Sequence, residues 1–260
     1  MSNDVPAARS RRLAVRAQAA SIHLGASAIL ATLIVVLIAF VWYPSPYFRL
    51  AGGRDLFLLI TGCDLVLGPL LTLVIFDVRK PRGELVRDVA VIAMLQLAAM
   101  SYGLWTMLQA RPAFIVYNVG QFNVALANEI AAENEAGAAP ALPWSGPKVV
   151  AAKLPDDPRE RTRITFSAIE GRGDIFQMPK YYVPYASLVD DIRNHARTAE
   201  ELAAAMHRPA EDIARAVASA SIPAGIDAGY LPLVVRFHTA IAIIDRQTGR
   251  FLGAATLQDS

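Results

Sequence analysis

Asp64 sits near the middle of residues 55–76, DLFLLITGCDLVLGPLLTLVIF, an apolar stretch long enough to cross a bilayer. A carboxylate at the centre of a membrane costs about 2.5–3.5 kcal/mol even on the lenient insertion scale, so a chain that keeps one has a partner or a use for it. Gly62, Gly68 and Pro69 flank it. Small residues let neighbouring helices approach closely, and a proline bends its helix and frees a backbone carbonyl. Gln96, Ser101 and Tyr102, in a later apolar run, are polar neighbours. Three chemistries are open. Asp64 is protonated and hydrogen-bonded inside its own bundle, or meets a polar group on a partner helix within the membrane, or is a catalytic carboxylate. The last requires a second aspartate close enough to share a proton. Asp77 and Asp88 mark the inner ends of apolar runs, and Asp64 lies turns deeper than Asp77. Thr61, Gly62 and Cys63 precede it, not the G-x-G-D turn of intramembrane aspartyl proteases.

Other chemistry is sparse. His23, His195, His207 and His238 are spaced too far apart for metal pairs, His207 reads as a helix cap and His238 as a strand surface residue. There is no G-x-S-x-G, no phosphate-binding glycine loop and no C-x-x-C. No metal, cofactor or enzymatic activity is expected. Cys63 is the single cysteine, which excludes an intrachain disulfide and is compatible with an oxidising compartment. Net charge is +2, so no bulk field recruits nucleic acid. The segment TAEELAAAMHRPAEDIARAVASA has a helix-turn-helix rhythm with Leu202, Met206, Ile213 and Val217 on one face. Glu200, Glu201, Glu211 and Asp212 repel phosphate, so two packed structural helices are expected instead.

Hydrophobic residues make up 54% of the 260-residue chain, above the usual range of about 45–50%, and the excess lies in the first 110 residues. Three runs, 22–42, 55–76 and 89–108, are each near the 20 residues that cross a bilayer as a helix. Arg9, Arg11, Arg12 and Arg16 precede the first run in the order of a signal peptide, but the run is longer than a signal core and lacks a small-x-small site after it. An uncleaved first span is expected. Arg79, Lys80, Arg82 and Arg87 crowd the loop between the second and third runs, against Arg49 and Arg54 in the first loop. The positive-inside rule then puts the tail and second loop in the cytoplasm and the rest beyond residue 109 outside. Trp42, Tyr43, Tyr47, Phe48 and Trp105 are expected at headgroup level as an aromatic belt.

The fold class expected is a three-helix membrane domain (22–110) after a basic tail (1–21), then a mixed α/β periplasmic domain (111–260). Strands are expected at 112–119 and 147–154, with 122–126 a second strand or a helix start. A loop with a short helix covers 130–147, a helix 159–170 and an extended aromatic connector 174–184. Helices follow at 185–195, 198–207 and 210–219, the second opening on the capping box Thr198-x-x-Glu201. The chain closes as a hairpin, VVRFHTAIAII and RFLGAATL, joined by DRQTG.

Residues 43–118, from YPSPYFRLAGGRDLFLLITGCDLVLGPLLTLVIFD through KPRGELVRDVAVIAMLQLAAMSYGLWTMLQARPAFIVYN, are similar to type IV pilin accessory proteins of the TfpX/TfpZ group. The resemblance is looser at 174–185 and 231–253 and does not extend to 127–162. It implies a non-catalytic, chaperone-like protein of the bacterial inner membrane whose partner is a type IV pilin, acting on pilin stability, pilus assembly or dynamics. A homo-oligomer is compatible with it. The groove of Gly62, Asp64, Gly68 and Pro69, with Gln96 beside it, is the expected partner-binding site for the pilin's apolar helix. The competing classes are a membrane-anchored periplasmic sensor and an aspartyl protease-like enzyme.

Overall fold

The computed structural model describes residues 4–76, 80–132, 142–220, 222–223, 225–236 and 238–257; for residues 4–12, 56, 59, 60, 63, 64, 131 and 132 it describes the backbone alone. The chain divides into two compact units. One comprises Met1–Ile38 and Arg54–Leu108, the other Ala39–Gly53 and Gln109–Ser260.

The first unit holds three long helices. Helix α1 (Asp4–Leu37) runs into a π-turn at Ile38–Trp42. A short turn of helix, α2 (Tyr47–Leu50), belongs to the second unit. Helices α3 (Gly53–Ile75) and α4 (Arg82–Gln109) complete the first. Pro44 and Pro46 end the first helix, as expected, and Gly52 turns the chain at φ +72°, a conformation that suits glycine. Lys80 closes the far end of α3: its ammonium lies 2.6 Å from Asp88 and 3.4 Å from the Ile75 carbonyl.

Two stretches, Leu13–Trp42 and Arg82–Gln109, are long and apolar enough to cross a membrane. The expectation of three is met for two, because the described apolar part of α3 is Leu65–Ile75, shorter than a span requires. Both candidate stretches are only 11% buried. Core helices of a water-soluble protein hide their apolar faces, and these leave Ile22, Ile29, Leu33, Met94 and Leu95 exposed.

The second unit is built on a seven-stranded mixed sheet of order β4-β3-β1-β2-β5-β6-β7. Strand β1 (Pro112–Asn118) pairs antiparallel with β2 (Gln121–Leu126) and parallel with β3 (Lys148–Ala152). Residues 122–126 are therefore a strand, and helix α5 (Ala127–Ala132) starts directly after it. The 133–141 part of the expected loop lies outside the described residues. Helix α6 (Pro158–Ile169) starts on Asp157, whose carboxylate accepts from the Arg159 amide. The aromatic connector is not simply extended. It makes 3₁₀ turns at Ile175–Gln177 and Pro179–Tyr181 before β4 (Tyr182–Val183), with Asp174 and Gln177 capping each other. The expected helix at 185–195 is a 3₁₀ turn, Tyr185–Leu188, followed by α7 (Val189–His195).

The Thr198 capping box is present and opens α8 (Ala199–Met206), which ends on His207 at φ +52°. Thr198→Ala removes the acceptor for the Glu201 amide and is expected to cost about 1 kcal/mol, measured by chemical denaturation. Helix α9 (Ala210–Ala218) follows. Leu202 and Ile213 are fully buried in one cluster with Ile241, Ile243 and Ala255 of the sheet. The two helices therefore have a packing role on their apolar face.

The closing hairpin is a three-stranded meander: β5 (Ala228–Val235), β6 (His238–Asp245) and β7 (Phe251–Thr256). The run VVRFHTAIAII folds back on itself, with Val235 paired to His238 and Arg236 at φ +51°. Arginine carries no glycine-type signal for that backbone, so the turn was invisible in the pattern. The DRQTG turn between β6 and β7 is as expected, Gly249 sitting at φ +68°. A second buried cluster lies over β1, where Ala113, Phe114 and Val116 pack with Ile130, Ile164 and Ile175.

Candidate functional site

Among the described residues of the helical unit, a polar node lies on α3 at Gly68. His23 Nδ1 of α1 is 2.7 Å from Thr72 Oγ1 of α3, and that hydroxyl donates to the Gly68 carbonyl at 3.0 Å. The Thr72 hydroxyl thus links the His23 ring to the Gly68 carbonyl. Gln96 of α4 comes to the same place. A Cβ on Gly68 would collide with the Gln96 amide and lie 3.0 Å from His23 Nε2. Three helices thus converge where one residue lacks a side chain, the geometry small residues permit in helix packing.

The expected site residues fall out unequally. Gly68 and Gln96 are brought together. Pro69 lies within α3, next in the chain. Gly62 faces open space. Asp64 lies one turn before Gly68 in the same helix, and its side chain is outside the described residues. His23 and Thr72 were not anticipated. Thr72 is four residues after Gly68, the spacing that lets a hydroxyl bond a carbonyl one turn back, so the signal was there.

A collar of aromatic residues occupies the second unit. Trp42, Tyr43 and Tyr47 are buried in protein rather than presented outward as a belt. The reason is a partner segment: Trp42 stands edge-on to Trp144 with ring centres 5.9 Å apart, and the Gly146 amide donates to the Val41 carbonyl at 2.7 Å. Arg111, also buried, donates through Nε and Nη2 to the Pro143 carbonyl, each at 3.1 Å. Burial pushes the Tyr43 phenol up, and Arg236 and Arg111 pull it the other way.

At the β1–β2 turn a third group forms. The Tyr117 hydroxyl donates to Asp191 at 2.6 Å and lies 3.3 Å from His195 Nδ1, which also lies 2.8 Å from the Asp191 carbonyl. Burial and the Asp191 bond push the Tyr117 phenol up, so it is a neutral donor. This joins β1 to α7 and was not legible, since 74 residues separate Tyr117 from Asp191. Among the described residues no three His, Cys, Asp or Glu side chains gather to hold a metal.

Residues 11–52 match the family model described as fimbrial assembly protein FimB. The chain is 31% identical over 228 residues to the fimbrial assembly protein of serogroup I of Dichelobacter nodosus, covering 86% of this chain and 88% of that relative. Its serogroup E1 counterpart is 30% identical over the same coverage. The counterpart of serogroups C1 and C2 is 36% identical over 114 residues, 44% of this chain and 87% of that relative. No solved structure matches the chain. With an apolar N-terminal helix, a mixed-sheet domain and this extent of shared sequence, the chain belongs to the family of fimbrial assembly proteins.

Proposed function

We propose that the chain is a non-catalytic accessory protein of type IV pilus assembly that binds the pilin in the bacterial inner membrane. The observation that carries it is the 11% burial of both candidate spans, in a chain whose relatives are named for fimbrial assembly. Apolar helices left that open need lipid or another apolar helix to cover them. Helix α3, with 23 residues, is about 35 Å long and is taken as a third span. Arginine and lysine in the tail and second loop then favour a cytoplasmic N-terminus and a periplasmic sheet domain.

The partner surface in this reading is α3 around Gly62, Asp64, Gly68 and Pro69, with Gln96 alongside. The convergence of His23, Thr72 and Gln96 at Gly68 supports it, because it fixes α3 against its neighbours one turn from Asp64. A pilin awaiting assembly holds an apolar helix in the bilayer, and Asp64 supplies a polar acceptor for it. Asp64→Ala and Asp64→Asn, at unchanged expression, are expected to lower photo-crosslinking to pilin severalfold. Wild-type crosslinking together with wild-type piliation would overturn the reading.

A further inference from the structure

Helix α6 carries its apolar residues on the wrong side for a helix on a sheet. Ile164 is buried in the cluster with Ala113, Phe114 and Ile130. Phe166 is 57% exposed and Ile169 73% exposed. At 100° per residue they stand roughly 160° and 140° around the axis from Ile164, at the outer pole. A helix covering a sheet places polar residues there. Arg159 and Arg163 are exposed on one flank of this pole and Arg161 on the other. The acids nearby are largely engaged. Asp157 caps the helix, Glu160 is held by Tyr181 at 2.6 Å and Lys180 at 3.3 Å, and Glu170 pairs with Arg172. Asp156 stays exposed, 3.9 Å from Arg161.

The inner face of α6 is held by the sheet domain's own residues. Its N-terminal half is tied to Tyr181, next to Tyr182, which pairs with Ala152 at the far end of β3. Ile164 is buried in a cluster that Leu142, Tyr181 and Tyr182 also pack against. Trp144, two residues beyond Leu142, packs on Trp42, the last residue of the first candidate span, and is itself exposed.

We infer that α6 beds its outer face into the headgroup layer of the bilayer, with Phe166 and Ile169 at the acyl boundary and Arg159 and Arg163 on lipid phosphates. That is the division of an interfacial helix, apolar at the pole and cationic at the flank. The contact holds the sheet domain down on the membrane, which restricts the surface it offers a pilin. The inference rests on the membrane reading of the preceding section.

The test uses the full chain in lipid nanodiscs, with Cys63→Ser and one environment-sensitive fluorophore at Ile169→Cys, Val119→Cys or Leu33→Cys. Doxyl groups are carried on the phospholipid near the headgroup or along the acyl chain. The Ile169 probe is expected to be blue-shifted and quenched by shallow doxyl lipid. The Val119 probe, on an exposed apolar residue at the β1–β2 turn, stays water-like. Arg159→Glu with Arg163→Glu weakens quenching at Ile169. A quenched Leu33 probe with a water-like Ile169 probe overturns the inference and leaves the membrane reading intact. Absence of quenching at Leu33 overturns both. Shielding at Ile169 that ignores doxyl lipid and vanishes at one chain per disc shows that a second copy covers α6, and also overturns it.

Discussion

Phe122→Ala lowers the stability of the sheet domain by about 3–5 kcal/mol, the largest loss expected from a single side chain here. Phe122 is 0% exposed. Its ring centre is 5.2 Å from Tyr117, 5.3 Å from Phe251 and 6.4 Å from Tyr185. Those partners come from β1, from β7 and from the turn before α7, so one ring bridges three parts of the chain. Its backbone is equally placed. Among the described residues the two halves of the sheet are paired through the β2–β5 ladder, whose partners are Phe122 with Leu233 and Asn123 with Val234. Removing the ring opens a cavity at that seam, and the cost includes both the lost burial and the void. Chemical denaturation of the full chain in detergent, with hydrogen exchange read separately on β1–β2 and β5–β7, measures it. Phe122→Leu keeps most of the volume and costs less. A loss under about 1 kcal/mol for the alanine variant would show that the seam is held elsewhere.

Much of this architecture was legible because local rules and the fold agree. Thr198 and Glu201 box the start of α8, and Gly249 turns β6 into β7, each by the chemistry its residues announce. Apolar periodicity marked α8 and α9 as packing helices, and Leu202 and Ile213 are buried as that predicts. What escaped was chemistry between distant residues. The turn at Arg236 uses a left-handed backbone without glycine, so only the ladder from Val235 to His238 reveals it. Trp42 and Tyr43 have the composition of a membrane belt, and only the return of residues 142–146 to them shows that protein covers them. Tyr117, Asp191 and His195 were unremarkable one by one, and the fold alone made them a group. Around Gly68 the reading was half complete: Gly68 and Gln96 were identified, but not the histidine on the first helix.

Gly68 and Gly62 lie six residues apart in α3 and should respond to substitution with opposite sign. A Cβ on Gly62 meets open space, so Gly62→Ala gains helix propensity and is neutral or stabilising by up to about 1 kcal/mol. A Cβ on Gly68 meets the Gln96 amide and then His23. In Gly68→Ala the flexible end of Gln96 swings aside, so the loss is modest. Gly68→Leu must displace the His23 ring as well, which breaks its bond to Thr72, and overpacking of this kind costs about 1–3 kcal/mol. Thermal unfolding of the full chain in detergent, with proteolysis of the loop at residues 80–82, reads the helical unit. The decisive comparison is a cycle: Gly68→Ala in a Gln96→Ala background should lose the part of the penalty that Gln96 imposes and keep the part due to His23, a coupling that only contacting residues show. Additive behaviour would mean that α4 does not approach α3 at Gly68. The convergence of three helices there would then fail, and with it the framework that holds α3 one turn from Asp64.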